Sequence, residues 1–187
     1  MQLALVAWLT AAMLPTPAAA QWQPDTADKR QVKAAAAVAR IREKVPAAEY
    51  YFDEAWGYAV WSTITRVGVG FGGAYGRGMV VEQDEAIGTA SYWQFTSGIQ
   101  AGAKGFSMII FFKDETALEE FRSGRIQFMG QAGIDVATVG AHGTPGYSNG
   151  VAVFALTRFG LMGEFTVSGV KFRYKPLETL NADTVDE

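Results

Sequence analysis

The chain has 187 residues, a formal net charge of −3 and no cysteine. This length fits one domain with an ordinary hydrophobic core. The lack of cysteine excludes a disulfide scaffold, a thiolate metal site and a bacterial lipoprotein, and the small net charge does not indicate a nucleic-acid partner.

Residues 1–20 have the pattern of a cleavable signal peptide. An apolar run from Leu3 to Leu14 is followed by small residues that end at Ala20. The run is too short to span a bilayer and has the length of a signal-peptide core. We expect cleavage near Ala20–Gln21, and a periplasmic or secreted mature protein.

Residues 21–45 are predicted to form a basic amphipathic helix, with Asp25 as its N-cap and Pro46 just after its end. An apolar stripe with helical spacing consists of Ala34, Val38, Ile41 and Val45. Beside it lies a basic stripe with two flanking arginines. The predicted lipid-binding residues are Lys29, Arg30, Lys33, Arg40, Arg42 and Lys44.

This helix has two interpretations. Its basic side chains can lie on an anionic membrane surface, where each contributes at most about 1 kcal/mol. Alternatively, the apolar stripe docks on the rest of the domain and the basic stripe faces water. The small size of the apolar side chains favours docking, and docking leaves the outer basic stripe free to contact phosphates.

A second helix is predicted from Pro46, with Gly57 just beyond its end. Beyond it the chain consists of short β-type runs separated by glycine. The predicted strands are Tyr58–Thr63, Val67–Phe71, Gly78–Glu82, Ile87–Phe95, Ile99–Ala103, Ser107–Phe112, Ile126–Met129, Ile134–Val139, Val151–Thr157 and Glu164–Tyr174.

One short helix interrupts the strands. Asp114 is its predicted cap, Leu118 and Phe121 share one face, and Gly124 ends it. Residues 176–187 form an acidic tail that is predicted to be loose.

The stretch "VGVGFGGAYGRGMVV" from Val67 contains the G-x-G-x-x-G pattern of dinucleotide-binding proteins. That fingerprint requires a helix directly after the glycines, and β-branched residues follow here instead. Glycine and alanine alternate with larger residues, so one face of a strand or hairpin is nearly bare backbone. We therefore predict close-packed β structure, with a turn near Gly73–Gly76, and no cofactor.

Other apparent sites are weak. "GYSNG" around Ser148 has the spacing of a nucleophile elbow, but Pro145 precedes it and a predicted strand follows, so a turn is favoured. His142 is the only histidine and cannot form a metal site alone. Lys104 suits an edge strand or the mouth of a ligand site. We predict no catalytic residue and no metal site, with an unrecognised enzyme as a weaker alternative.

The glycine pattern and its flanks resemble the SYLF domain family, which includes the lipid-binding and actin-binding domain of yeast actin-patch SH3 proteins. The similarity spans Pro46–Tyr174 and includes "SGIQAGA", "ALEEFRSG" and "RFGLMG". The matching positions are Ala55, Gly57, Ala59, Val60, Arg66, Gly72, Gly73, Gly76, Gly78, Gly98, Gln100, Gly102 and Ala103. Trp61-Ser62 and Phe154-Ala155 depart from the family pattern.

The resemblance implies a β-rich domain over residues 46–175 that follows N-terminal helices and binds phospholipid. Eukaryotic members bind phosphoinositides, partly through an N-terminal amphipathic helix, and some bind actin filaments. For an exported chain, an anionic envelope phospholipid is the expected ligand.

Together these observations predict an α+β fold: N-terminal helices, then a glycine-rich, mainly antiparallel β-sheet or barrel-like domain with one short inserted helix. The expected function is non-catalytic binding of anionic phospholipid or a membrane surface. An envelope structural or adaptor protein with a protein partner is the alternative, and a small outer-membrane barrel is disfavoured by the long charged helix.

Overall fold

The structure is a computed structural model that describes residues 22–69, 71–97, 102–125, 136–138, 146–157 and 170–177. The helical elements are α1 (Lys29–Lys44), a 3-10 turn (Pro46–Ala48), α2 (Glu49–Glu54) and α3 (Glu115–Arg122). The strands are β1 (Gly57–Val69), β2 (Phe71–Glu82), β3 (Glu85–Ser97), β4 (Gly102–Phe112), β5 (Val136–Thr138), β6 (Val151–Thr157) and β7 (Val170–Pro176).

The described strands form one sheet in the order β5-β6-β4-β1-β2-β3-β7. All neighbouring strands are antiparallel except β5 and β6, which are parallel. Within the described ranges β5 and β7 are the two edges, so the sheet is open. The predicted α+β fold, with helices first and one helix inserted, is confirmed.

The first helix begins later than its sequence predicts. Asp25 is not the N-cap, because it forms a turn in which its carbonyl accepts from the Asp28 backbone N–H. Asp28 caps α1 instead, and its carboxylate accepts from the Arg30 backbone N–H. The helix therefore has 16 residues rather than about 20.

The second helix follows Pro46 as predicted, but it ends at Glu54 and not next to Gly57. The chain passes from the 3-10 turn into α2, and Ala55 is already extended while its N–H still bonds to the Tyr51 carbonyl. Gly57 is the first residue of β1, so its role is in the sheet and not at a helix end.

The predicted turn near Gly73–Gly76 is wrong. β2 is a continuous strand through these glycines, and the β1–β2 hairpin reverses between Val69 and Phe71. The separately predicted strands Tyr58–Thr63 and Val67–Phe71 belong largely to β1, which has a register shift between Trp61 and Ile64.

The glycines of β2 make room for side chains of β1. A Cβ added at Gly78 would lie 2.7 Å from the Val60 carbonyl oxygen and 2.9 Å from the Trp61 ring. The Trp61 indole crosses β2 at this point and donates from Nε1 to the Ala90 carbonyl oxygen in β3, at 3.1 Å. Close approach explains the glycine, as the alternating pattern predicts, but the element that approaches is a neighbouring strand.

The remaining predictions divide into confirmed strands and untested ones. β6 has the predicted bounds, and β4 joins the described part of Ile99–Ala103 to Ser107–Phe112. Strand β5 falls within the predicted run Ile134–Val139, and β7 overlaps the predicted run Glu164–Tyr174 but continues to Pro176. Residues 126–129 and 164–169 lie outside the described residues, as do residues 1–21 and 178–187.

Helix α3 is confirmed in detail. The Asp114 carboxylate accepts from the Ala117 N–H, Leu118 and Phe121 are buried, and Gly124 follows the helix with a φ of 71°.

The sheet has a hydrophobic core on each face. On one face α1 and α2 pack on β1, β2, β4 and β6. On the other face α3 joins a core to which β1, β2, β3, β4, β6 and β7 contribute, with Trp61, Tyr92 and Phe172 at the centre. Helices α1 and α2 therefore lie on one side of the sheet, and α3 lies on the other.

Because Tyr92 is buried, the protein is predicted to lose stability at alkaline pH. Its hydroxyl donates to Gln94 Oε1 at 2.9 Å, and burial raises the pKa of Tyr92 in the folded protein. In the unfolded chain the Tyr92 hydroxyl ionises near pH 10. The free energy of unfolding therefore keeps its full value below pH 10 and falls above it. Tyr92→Phe should reduce that fall by about 0.7 kcal/mol per pH unit at pH 10, rising toward about 1.4 kcal/mol per pH unit at higher pH. Urea unfolding at pH 9, 10 and 11 measures this, and equal slopes in the two proteins would contradict it.

Candidate basic surface

Helix α1 is docked on the sheet. Its buried residues are Ala34, Ala37, Val38 and Ile41. These small side chains pack against β1 and β2. The apolar stripe is therefore used in docking, and Lys29, Lys33 and Lys44 remain exposed to solvent.

Four of the predicted lipid-binding residues lie along one flank of α1, which we call the basic ridge: Lys29, Lys33, Arg40 and Lys44. At 100° per residue, their spacing of 4, 7 and 4 keeps them within about 60° of one another around the axis. The three lysines are exposed, and Arg40 is half-buried. The ridge is thus a continuous line of positive charge.

Ion pairing leaves most of the ridge uncompensated. Within the described ranges, Lys29, Lys33 and Arg40 form no ion pair. Lys44 pairs with Glu43 at 2.7 Å, and hydrogen bonding to Lys44 lowers the pKa of Glu43. Both side chains of this pair are exposed, and such surface pairs contribute little and are easily exchanged.

The other two predicted residues, Arg30 and Arg42, are engaged by carboxylates of the chain itself. Arg30 forms a forked pair with Asp28, with Nε–Oδ1 at 2.9 Å and Nη2–Oδ2 at 2.8 Å. The Arg30 hydrogen bonds hold the pKa of Asp28 below its usual range. Arg42 pairs with Glu49 at 2.5 Å. These arginines fix the start of α1 and its junction with α2, so we assign them to the scaffold.

Arg42 also shows which way the ridge points. Its guanidinium carbon lies 4.2 Å from the Phe52 ring centroid in α2, so this flank of α1 faces α2. Arg40 and the rest of the ridge project from nearly the opposite flank. Because Tyr51 of α2 packs on Phe111 and Phe154, α2 covers β4 and β6. The ridge therefore faces the half of the sheet that contains β3 and β7.

That half of the sheet carries further cations on the same face, and the sequence analysis missed them. Arg77 of β2 is level with Arg173 of β7, and both are paired with Ser91 of β3. Lys171 and Lys175 flank Arg173 on the same side of β7. All four basic side chains are exposed. Buried and exposed side chains alternate in β7. The alternation of apolar and basic residues in "VKFRYKP" is the sequence signal that could have identified these cations.

The arrangement suits binding of phosphate groups. The ridge contributes four cations and the sheet another four, on one side of the molecule. Each cation near an anionic surface contributes about 1 kcal/mol, and the sum falls as salt screens it. Guanidinium groups add bidentate hydrogen bonds to phosphate oxygens.

The residues considered for catalysis are not assembled into a site within the described ranges. Ser148 lies in a tight turn with Val151, which contains Asn149 and Gly150 at φ values of 50° and 75°. Lys104 belongs to β4, beside Arg66, and its side chain and His142 lie outside the described residues. In those ranges no group of acidic or histidine side chains is placed to hold a metal. Of the described helices, none is long and apolar enough to span a bilayer.

The chain is similar to the protein named beta cell expansion factor A from Aeromonas veronii, with 26% identity over 139 residues. The match covers 73% of this chain and 52% of the Aeromonas protein. The chain thus spans about half the length of the curated relative that it matches. No family model matches the chain.

Proposed function

We propose that the protein is a non-catalytic phospholipid-binding module of the SYLF type. Anionic head groups bind the basic ridge of α1 together with the outward cations of β2 and β7. The observation that carries this proposal is the position of the ridge, which projects from the flank of a docked helix toward the cationic half of the sheet. In a chain with a net charge of −3, such a concentration of positive charge on one side requires a reason.

Two further observations support the proposal. The helix-first, glycine-rich β architecture is the one that the SYLF resemblance implies, and the similarity to the Aeromonas protein extends over most of the chain. Residues 1–20 predict export of the module, and for an exported module the ligand that we propose is an anionic envelope lipid. Because α1 is already docked, binding needs no folding step and the cations are preorganised.

Vesicle sedimentation tests the proposal. The mature protein should pellet with anionic vesicles, pellet far less with neutral ones, and bind the anionic vesicles more weakly as the salt concentration rises. The variant Lys29→Glu/Lys33→Glu should bind anionic vesicles at least about 30-fold more weakly. Removal of two cations accounts for about 2 kcal/mol, and reversal of their charge adds repulsion.

The matched control is Lys113→Glu/Arg125→Glu. These two exposed residues flank α3, on the other side of the sheet, and the variant changes net charge by the same amount. It should retain most of the binding. If both variants bind like the wild type, the lipid proposal fails, and an envelope adaptor that binds a protein becomes the better interpretation.

A further inference from the structure

Four large apolar side chains are exposed on the sheet face that carries α1. We call them the aromatic end: Val67, Tyr75, Trp93 and Phe95, with 55%, 37%, 47% and 78% of their surface exposed. Exposed apolar side chains that cluster on one surface are typical of an interaction site. Neither the lipid-binding ridge nor the core uses it.

The sheet register arranges these residues in rows. Val67 and Phe95 flank Gly73 in one row, so the outermost row presents an aliphatic and an aromatic group with bare backbone between them. In the next row Tyr75 is paired with Trp93, and their rings are 4.5 Å apart. The most apolar side chains are thus at the end of the strands, and the two amphipathic rings come next.

Basic side chains lie beside the two rings and in the next row of the sheet. Lys171 of β7 is paired with Trp93 in the second row. In the third row Arg77 and Arg173 lie on either side of Ser91, and Arg77 Nε donates to the Tyr75 hydroxyl at 2.7 Å. Rows on one face are about 7 Å apart, since each residue advances the strand by about 3.4 Å. The apolar row and the arginine row are therefore about 14 Å apart.

This order matches the polarity gradient at the surface of a membrane. Aliphatic and phenyl groups partition into the hydrocarbon boundary, tryptophan and tyrosine concentrate at the interface, and lysine and arginine reach the head groups. Interfacial segments bury their apolar side chains about 5–10 Å below the head groups, which is comparable to the spacing of the rows. A protein partner does not require this order along the strands.

From this we propose that the aromatic end inserts into the interface of an anionic membrane and anchors the protein there, with Phe95 and Val67 deepest. The proposal rests on the proposed lipid-binding function and adds an apolar contact to it. The basic ridge and the cations beside the rings attract the anionic surface over a distance that salt screens. Insertion of the aromatic end then supplies binding that salt does not screen.

Vesicles that contain anionic lipid and lipid with brominated acyl chains test the insertion. Bromine quenches tryptophan at short range, so binding should quench the wild-type fluorescence. Trp93→Phe should bind normally and lose most of the quenching, because Trp22 and Trp61 are buried in the core and Trp56 is half-buried beside Gly57, at the opposite end of β1 from Val67. Phe95→Ser should weaken binding about tenfold in 0.5 M salt, where the electrostatic part is screened.

Tyr50→Ser is the matched control, because Tyr50 is an aromatic residue of α2 with 57% exposure. It should bind like the wild type. The insertion is excluded if the wild type pellets but shows no Trp93-dependent quenching and Phe95→Ser binds normally; the ridge alone then binds lipid. A wild-type dimer that Phe95→Ser converts to a monomer, without quenching, would assign the aromatic end to a second copy. If the wild type does not pellet at all, both proposals fail.

Discussion

Trp61→Ala is expected to lower the free energy of unfolding by about 3–5 kcal/mol. The indole is fully buried, and it contacts Phe121 of α3 and Phe172 of β7. Its Nε1–H also donates to the Ala90 carbonyl, and the variant loses this buried hydrogen bond. This loss is a large fraction of the about 5–15 kcal/mol that stabilises a typical domain. Urea denaturation followed by circular dichroism measures it.

The chain contains its own control for this change. Trp93→Ala removes the same side chain from a position that is 47% exposed in β3, which β2 separates from β1 in the sheet. We expect the unfolding free energy to fall by less than about 1 kcal/mol. A similar loss in both variants would mean that the core on the α3 side is not organised around Trp61.

Sequence patterns predicted the elements whose signals are local. Asp114, two apolar residues at helical spacing and Gly124 specify α3 without help from the rest of the fold, and its cap and end are as predicted. Strand β6 is a short run of β-branched and aromatic residues between a turn and a polar residue, and its bounds are also as predicted.

Sequence patterns failed where tertiary contacts decide the local structure. A period of two continues through both β1 and β2, so nothing in the alternation marks where the hairpin reverses. The glycines near Gly73–Gly76 look like a turn, yet a Cβ at Gly76 would lie 2.7 Å from the Ile64 side chain. Gly76 is required by this cross-strand contact, which one strand's sequence does not reveal.

In the candidate site, too, local spacing predicted some features and tertiary contacts decided the others. Helical spacing predicted the basic ridge, and the structure places its four residues on one flank. Arg30 and Arg42, which flank that stripe, are engaged by Asp28 and Glu49. The ion pair between Arg42 and Glu49 depends on the angle between α1 and α2, and the spacing of residues along α1 does not determine that angle. The cations of β7 become part of the surface only because β7 pairs with β3 at the edge of the sheet.

The two proposed lipid contacts depend on different parts of the scaffold. The ridge depends on the docking of α1, which Arg42 supports through its contacts with α2. The aromatic end depends on β1, β2 and β3 being paired beyond the area that α1 covers. Substitutions on the helix should therefore change the electrostatic attraction, and substitutions at the strand ends should change the binding that survives high salt.

Gly78→Ala is expected to destabilise the fold by about 2–3 kcal/mol, because the new methyl group has no space. It would lie 2.7 Å from the Val60 carbonyl oxygen and 2.9 Å from the Trp61 ring, so the indole or the β1 backbone must shift. A glycine-to-alanine change in open space is normally neutral or slightly stabilising. Gly146→Ala is that control, since no atom lies within 4 Å of its added Cβ. Thermal and urea unfolding of both variants give the comparison.

A double-mutant cycle identifies which contact causes the loss. If the Trp61 ring is responsible, Gly78→Ala should cost at least about 1 kcal/mol less in a Trp61→Ala background, because contacting residues couple by about this amount. The cost that remains then reports the contact with the Val60 carbonyl, which the second substitution does not remove. Equal costs in the two backgrounds would show that the indole does not cross β2 at Gly78. Its hydrogen bond to β3 would then also be absent, since the crossing is what brings Nε1 within reach of the Ala90 carbonyl.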